Sequence, residues 1–349
     1  MMPPNSLQQL KQWFIDCKRD LPWRVQTTPY AVWVSEVMLQ QTQVAVVIPY
    51  FERWMQHFPT IQALANADLD EVIKLWEGLG YYSRARHLHA GAKTVLQDFQ
   101  GILPSSELEL KKIKGLGPYT IGAIRSFAFH EKTSAVDGNV IRVLARYFLI
   151  EEDISKPATV KMIRQLAEDL LPEDESWIVN EALIELGATI CTRKPVCRQC
   201  PLRGTCKSYQ QGATDRIPFK SAKTVVTALQ RDVVIIRCRD RFLIQRIGKG
   251  KIMSDLHEFP YFESLQESNI RQQIQKAFQC DAKMEHHFSE VAHSFTRYRV
   301  KLLPTLWQSQ KCPEVEGYQW LMLSELKELA FSSGHKRVLQ QLSDWLRKV

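Results

Sequence analysis

The chain has 349 residues, and 46 lysines and arginines against 38 aspartates and glutamates give it a formal charge of +8. That length exceeds one domain of ~150 residues, and the basic excess permits a polyanionic partner without requiring one. No apolar run reaches the ~18 residues of a membrane-spanning helix, and Met1-Met2-Pro3-Pro4-Asn5-Ser6 lacks the charged and apolar regions of a signal peptide, so a soluble cytoplasmic protein without membrane contact is expected.

From Leu7 to about Leu170 apolar residues recur at helical spacing: Leu7, Leu10 and Phe14; Val72, Leu75, Trp76 and Leu79; Val140, Val143, Leu144, Tyr147 and Phe148. Within the segment from Pro29 to Val44 a single carboxylate, Glu36, has Val32, Trp33, Leu39 and Gln40 three and four places away, so on a helix it projects from an apolar face. Desolvation there raises its pKa, and a carboxyl protonated near neutrality can donate a proton to a leaving group. A buried glutamate satisfied by backbone N–H groups or an arginine is the competing reading. Gln40-Gln41-Thr42 and Gly78-Leu79-Gly80-Tyr81-Tyr82 supply amides and an aromatic ring able to probe or wedge into a base stack.

The stretch from Lys111 to Val140 predicts a hairpin between two helices. Gly115 and Gly117 flank Leu116 and allow a tight turn, and Pro118 suits the first position of a new helix. Free N–H groups at that helix start, with Lys111, Lys112 and Lys114 nearby, suit a phosphate; an ordinary turn with a solvated lysine face is the alternative. Asp137 precedes a helix starting near Asn139, where backbone N–H groups favour the ionised carboxylate. A carboxylate held anionic can stabilise a cationic transition state, and an Asp-Gly-Asn sequence is equally at home in a simple turn. One protonated and one anionic carboxyl match the division of labour in glycoside cleavage.

Four of the eight cysteines, Cys191, Cys197, Cys200 and Cys206, fall in one short segment, while Cys17, Cys238, Cys280 and Cys312 are scattered. This distribution favours a metal site over a disulfide framework. The spacing C-x5-C-x2-C-x5-C contains one C-x2-C where zinc sites usually pair two, so four thiolates around a [4Fe–4S] cluster fit better. Arg193, Lys194, Arg198, Arg203 and Lys207 lie in or just after this loop and could grip phosphates.

Residues 207–224 hold glycines, Pro218, serines and lysines without a long apolar run and are expected to be a linker between a helical domain at 1–206 and a smaller α+β domain at 225–349. In the latter Val233-Val234-Ile235-Ile236, Phe242-Leu243-Ile244 and Phe295 to Leu303 look like strands. Arg337 to Lys348 returns to helix, with Val338, Leu342 and Trp345 on one face.

With Glu36, the hairpin, Asp137 and the cysteines together, the chain resembles the helix-hairpin-helix DNA glycosylases that carry an iron–sulfur cluster, above all the adenine DNA glycosylases. Leu21-Pro22-Trp23-Arg24, Ser35-Glu36-Val37-Met38-Leu39-Gln40-Gln41-Thr42, Gly78-Leu79-Gly80-Tyr81-Tyr82 and Val136-Asp137-Gly138-Asn139-Val140 are similar to that family's signature segments. The resemblance implies a monomer acting on double-stranded DNA with adenine opposite 8-oxoguanine or guanine. Glu36 would protonate adenine and later help activate water, Asp137 would stabilise the oxocarbenium ion or a covalent intermediate, and Tyr119 and Asn139 would support them. Trp23, Arg24, Leu39, Val44 and Glu181 would line the pocket for a flipped adenine, because a stacked base cannot present its glycosidic bond to both carboxyls. Gln41, Thr42, Leu79 and Tyr81 would sit against the opposite base. Gly115, Gly117, Lys114, Arg193 and Lys194 would hold phosphates, and Cys191, Cys197, Cys200 and Cys206 the cluster. Bifunctional relatives carry a lysine nucleophile where Tyr119 stands, so hydrolysis without strand cleavage is expected.

The second domain is similar to the Nudix-like domain with which the family reads 8-oxoguanine, here through Phe295 and Thr296. It lacks the glutamate-rich hydrolase box and should bind without catalysing. Three departures stand out: a first cysteine gap of five residues where the family has six, Phe295-Thr296-Arg297 in place of Phe-Ser-His, and Met253-Ser254-Asp255 in place of Trp-Gly-Gly. A glycosylase/lyase acting on damaged pyrimidines and a non-enzymatic iron–sulfur protein are the competing readings.

Overall fold

The computed structural model describes residues 2–25, 27–221, 225–248, 250–263 and 270–348. Two compact units emerge: Met1–Asn66 with His87–Lys223, and Ala67–Arg86 with Thr224–Val349. Among the described residues no helix is long and apolar enough to cross a membrane.

The first unit is built of helices. Pro4–Cys17, Pro29–Leu39, Val44–His57, Gly138–Phe148, Pro157–Leu170 and Ser176–Thr189 are the long ones lying wholly in it. Helical spacing decides which faces are buried: Leu10 and Phe14 of the first, Val140, Val143 and Leu144 of Gly138–Phe148, and Val179, Leu183 and Leu186 of Ser176–Thr189 share one core. Pro29–Leu39 has almost no polar face. Tyr30 to Met38 are all buried, and Thr28 caps its start by accepting from the Ala31 N–H at 3.2 Å.

The segment expected to be a linker is folded as far as Ser221. Ala213 and Ile217 lie in the first unit's core, and the buried Arg146 donates to the Thr214 and Ile217 carbonyls. Composition misses this because two small apolar anchors and main-chain acceptors leave no periodic signal. The end of the expected linker, residues 222–224, lies outside the described residues.

The second unit holds an eight-stranded mixed sheet: β1 Thr227–Cys238, β2 Arg241–Arg246, β3 His257–Glu258, β4 Tyr261–Glu263, β5 Ala282–His287, β6 Val291–Phe295, β7 Tyr298–Ser309 and β8 Tyr318–Met322. β1 and β7 pair in parallel along their full length at the centre. The continuous run Val233 to Ile236 suits a strand covered on both faces: Val233 and Ile235 face one core, Val234 and Ile236 the other. The C-terminal helix, Ser333–Leu346, buries Val338 and Leu342.

Two sequence expectations change here. The strand expected from Phe295 to Leu303 is a hairpin, with Phe295 paired to Tyr298 and Thr296 turned at φ 48°. A β-branched residue seldom takes that conformation, so the turn carried no compositional signature. Cys238 and Cys312, read as scattered, form a disulfide with a Cα separation of 5.7 Å. The β1–β7 register, which sets Cys238 opposite Ser309, brings them together.

Candidate active site

Glu36 sits near the end of the Pro29–Leu39 helix, 7% exposed. Burial is the main force raising its pKa to about 7; the charges of Asp137 and Glu181 add to it, while a hydrogen bond from Tyr119 and the charge of Arg24 oppose it. The Tyr119 hydroxyl donates to Glu36 Oε2 at 2.5 Å. Tyr119 is the second residue of the Pro118–Ala123 helix, delivered there by the hairpin turn. Burial and the neighbouring Glu36 and Asp137 charges push its phenol well above the usual range, so it remains a donor.

The turn depends on Gly115, at φ 91°, where a Cβ would stand 2.5 Å from the His87 Cβ. Gly117 has φ −89° and does not need the glycine conformation, contrary to the expectation that both bend the chain.

Asp137 caps the Gly138–Phe148 helix. Its Oδ1 accepts from the Asn139 and Val140 N–H groups at 2.8 Å each, and its Oδ2 from the Asn139 amide at 2.6 Å. Burial nonetheless raises its pKa; the three hydrogen bonds and the Arg142 charge oppose that rise. The expectation that the cap simply favours the anion is therefore incomplete, since capping offsets a desolvation that the sequence did not show.

Arg142 was not singled out from the sequence. It donates to Asn139 Oδ1 at 2.7 Å, the Gly187 carbonyl at 2.8 Å and the Cys191 carbonyl at 2.7 Å, so one guanidinium joins the Asp137 cap to the cysteine segment. Arg24 bonds Glu181 at 2.9 Å and Glu185 at 3.0 Å, and Arg19 also grips Glu185. Arg19 and Glu185 were missed as well. Arg19 lies in the connection between the Pro4–Cys17 and Pro22–Val25 helices, and its pairing with Glu185 is visible only once distant segments are assembled.

These residues line one cavity of about 1210 Å³. Its walls include Trp23, Arg24, Glu36, Leu39, Gln41, Thr42, Val44, Gly115, Gly117, Tyr119, Asp137, Asn139, Glu181 and Arg193, all named from sequence. Lys114 and Lys194 are exposed and do not line it. Five arginines and no lysine appear among the described residues of its wall. Leu79 and Tyr81 belong to the second unit, where Leu79 is buried and Tyr81 is exposed at φ 48°. Thr296 and Arg297 form the tip of the β6–β7 hairpin, with Phe295 the last residue of β6 and Thr296 exposed.

Cys191, Cys197, Cys200 and Cys206 line a second, small apolar cavity beside Val143, Tyr147 and Leu186. Among the described residues no three His, Cys, Asp or Glu side chains converge as a single ion would need. Burial raises the Cys197 and Cys206 thiols and pushes Cys200 up to about 12, so bare thiolates are unfavourable there. Arg146 places its guanidinium 3.4 Å from the Cys191 sulfur. Four sulfurs around one cavity with an adjoining cation fit an anionic thiolate-bound cluster.

Residues 34–173 match the HhH-GPD superfamily of base excision DNA repair proteins, and residues 232–341 match the NUDIX domain. The chain is 46% identical to the adenine DNA glycosylase of Rattus norvegicus over 60% of its own length and 43% of the rat protein. Against the adenine DNA glycosylase of Homo sapiens it is 34% identical, over 95% of this chain and 72% of the human one. A thermostable thymine-DNA glycosylase superposes with a TM-score of 0.54 and 27% identity, covering 59% of this chain and 95% of that one.

Proposed function

The chain belongs to the adenine DNA glycosylases, and we propose that it hydrolyses the N-glycosidic bond of adenine opposite 8-oxoguanine or guanine in duplex DNA, leaving an abasic site. The observation that carries this reading is the pairing, in one cavity, of a Glu36 carboxyl raised to about 7 with the hydrogen-bonded carboxylate of Asp137.

A flipped adenine would occupy the cavity against Trp23, Leu39 and Val44, with Glu181 and Arg24 at its polar edge. Glu36 gives its proton to N7, the C1′–N9 bond breaks with its electron pair leaving on adenine, and positive charge develops on the sugar beside Asp137. Water then adds to C1′ and passes its proton to the Glu36 carboxylate. Tyr119 holds Glu36 in place, and Asn139 holds Asp137. The absence of lysine among the described wall residues supports hydrolysis over Schiff-base chemistry, which requires an amine.

Cys191, Cys197, Cys200 and Cys206 would hold a [4Fe–4S] cluster, whose contribution is to fix the fold of its loop. Arg193 and Lys194 on that loop, and Lys114 beside Gly115 and Gly117, are offered as phosphate contacts. Leu79, Tyr81, Gln41 and Thr42 would meet the opposite base, and Phe295 and Thr296 would read 8-oxoguanine. A monomer working on DNA and away from membranes is the expected form.

The test is excision from duplexes with adenine opposite 8-oxoguanine, guanine and cytosine, developed with alkali. Cleavage after alkali that exceeds a Glu36→Gln control, in the order 8-oxoguanine, guanine, cytosine, is expected. A cleavage pattern independent of the opposite base would remove the 8-oxoguanine assignment.

A further inference from the structure

Adenine excision makes no use of Glu77, yet its buried carboxylate, 5% exposed, is among the more elaborately held groups in the second unit. Oε1 accepts from the backbone N–H of Phe331 at 2.8 Å, and Oε2 from the Lys336 ammonium at 2.5 Å. Lys74 lies 3.3 Å from the same Oε2 and donates to the Lys327 and Leu329 carbonyls. Phe331 is itself fixed in the sheet unit's core, stacked on Phe259 and bridged to His257. On either side Asp70 takes both arms of Arg246, and Arg86 donates to the Ser254 carbonyl at 3.0 Å. The segment Ala67–Arg86 is thus keyed into the sheet unit by main-chain and ionic contacts centred on Glu77.

The residue after Glu77 opens an unusual loop. Gly78, Gly80 and Tyr81 all have positive φ, at 105°, 73° and 48°, and a tyrosine in that region is held there by its surroundings. The Gly78 N–H donates to the Tyr82 hydroxyl, the Trp76 indole to the Gly80 carbonyl, and Arg84 to the Leu79 and Gly80 carbonyls. The result is a pre-shaped loop with the Tyr81 ring presented at the surface, 44% exposed.

We propose that Glu77 is a positioning residue for the loop at residues 78–82, through which the NUDIX-matching unit sets selectivity for the base opposite the excised adenine. This rests on reading Leu79 and Tyr81 as probes of that base. Without Lys336, Glu77 Oε2 is left to Lys74 alone, 3.3 Å away, and a buried carboxylate that loses one of its partners pulls the adjoining backbone toward another arrangement, here the loop itself.

The experiment compares single-turnover excision of adenine opposite 8-oxoguanine with that opposite cytosine for the full-length iron-loaded protein and for Glu77→Gln, Lys336→Met, Lys336→Arg and Tyr81→Ala. Glu77→Gln and Lys336→Met are expected to lower the ratio by roughly fivefold or more, as Tyr81→Ala does, with Lys336→Arg near wild type. Iron content and melting temperature are measured alongside. Should Glu77→Gln fail to fold, Lys336→Met carries the test, because its side chain is 55% exposed and its loss leaves the cores intact. A ratio lowered by Tyr81→Ala but unchanged in both Glu77→Gln and Lys336→Met overturns the inference and spares the reading of the loop. A Tyr81→Ala ratio equal to wild type overturns both.

Discussion

The Tyr119 hydroxyl donates to Glu36 Oε2 at 2.5 Å, so the first turn of the helix after the hairpin restrains the protonation of a carboxyl on the Pro29–Leu39 helix. That bond favours the carboxylate, opposing the burial that raises Glu36 to about 7. Tyr119→Phe should therefore raise the Glu36 pKa further. The protonated acid is the active form, so the rate falls as pH rises through that pKa, and the alkaline limb of the pH–rate profile moves upward in Tyr119→Phe. Glu36→Gln should lose the factor of ~10²–10⁴ that general acids supply. Single-turnover rates from pH 5 to 9 check both.

The same carboxyl should cost stability. A rise from 4.5 to about 7 favours folding below the unfolded pKa, and that advantage is lost as pH rises through the folded one, about 3–4 kcal/mol at most at roughly 1.4 kcal/mol per unit. Glu36→Gln should therefore melt higher than wild type at pH 8, with the gain gone by pH 4. Calorimetry at the two pH values measures it; equal melting temperatures at pH 8 would contradict a buried Glu36 that ionises.

Asp137→Asn keeps an oxygen for the Asn139 and Val140 N–H groups but removes the charge and the acceptor of the Asn139 amide, so excision should collapse with only a modest fall in melting temperature. Asp137→Ala removes the cap too and should cost a further ~1 kcal/mol. Parallel rates and urea titrations separate the two roles.

Gly115→Ala meets both a positive φ and a Cβ contact of 2.5 Å with His87. A destabilisation of about 1–3 kcal/mol and weaker duplex binding are expected, by denaturation and by fluorescence anisotropy.

Iron analysis addresses the cysteine site. About four irons per chain with visible charge-transfer absorbance are expected, and Cys200→Ser should reduce both. Stoichiometric zinc without iron in anaerobically prepared protein would refute the cluster.

Much of the site was legible because local pattern carried it. Glu36 stands alone in an apolar helix, Asp137 announces a cap, and Tyr119 follows a glycine-bracketed turn, so each could be named before the helices were assembled. What could not be read depends on long-range register. Arg142 looks like any surface arginine of its helix until Gly187 and Cys191 are brought against it. Burial of Asp137, the pairing of Cys238 with Cys312, and the docking of Ala213 and Ile217 arise from packing between distant segments. The Phe295 to Leu303 segment misled because alternation persists through a two-residue turn when Thr296 accepts a positive φ. Residues 67–86 read as another helical piece, and nothing in their periodicity tells that they pack with the sheet.

The central claim is hydrolysis by Glu36 and Asp137 without a covalent amine intermediate, and the most direct measurement is release of free adenine from a duplex carrying adenine opposite 8-oxoguanine, with borohydride added only to a parallel sample to trap any adduct. One adenine per abasic site, strands intact until alkali and no protein–DNA adduct is the predicted result. Adenine release no greater than that of Glu36→Gln, or an efficiently trapped adduct with broken strands, would contradict it.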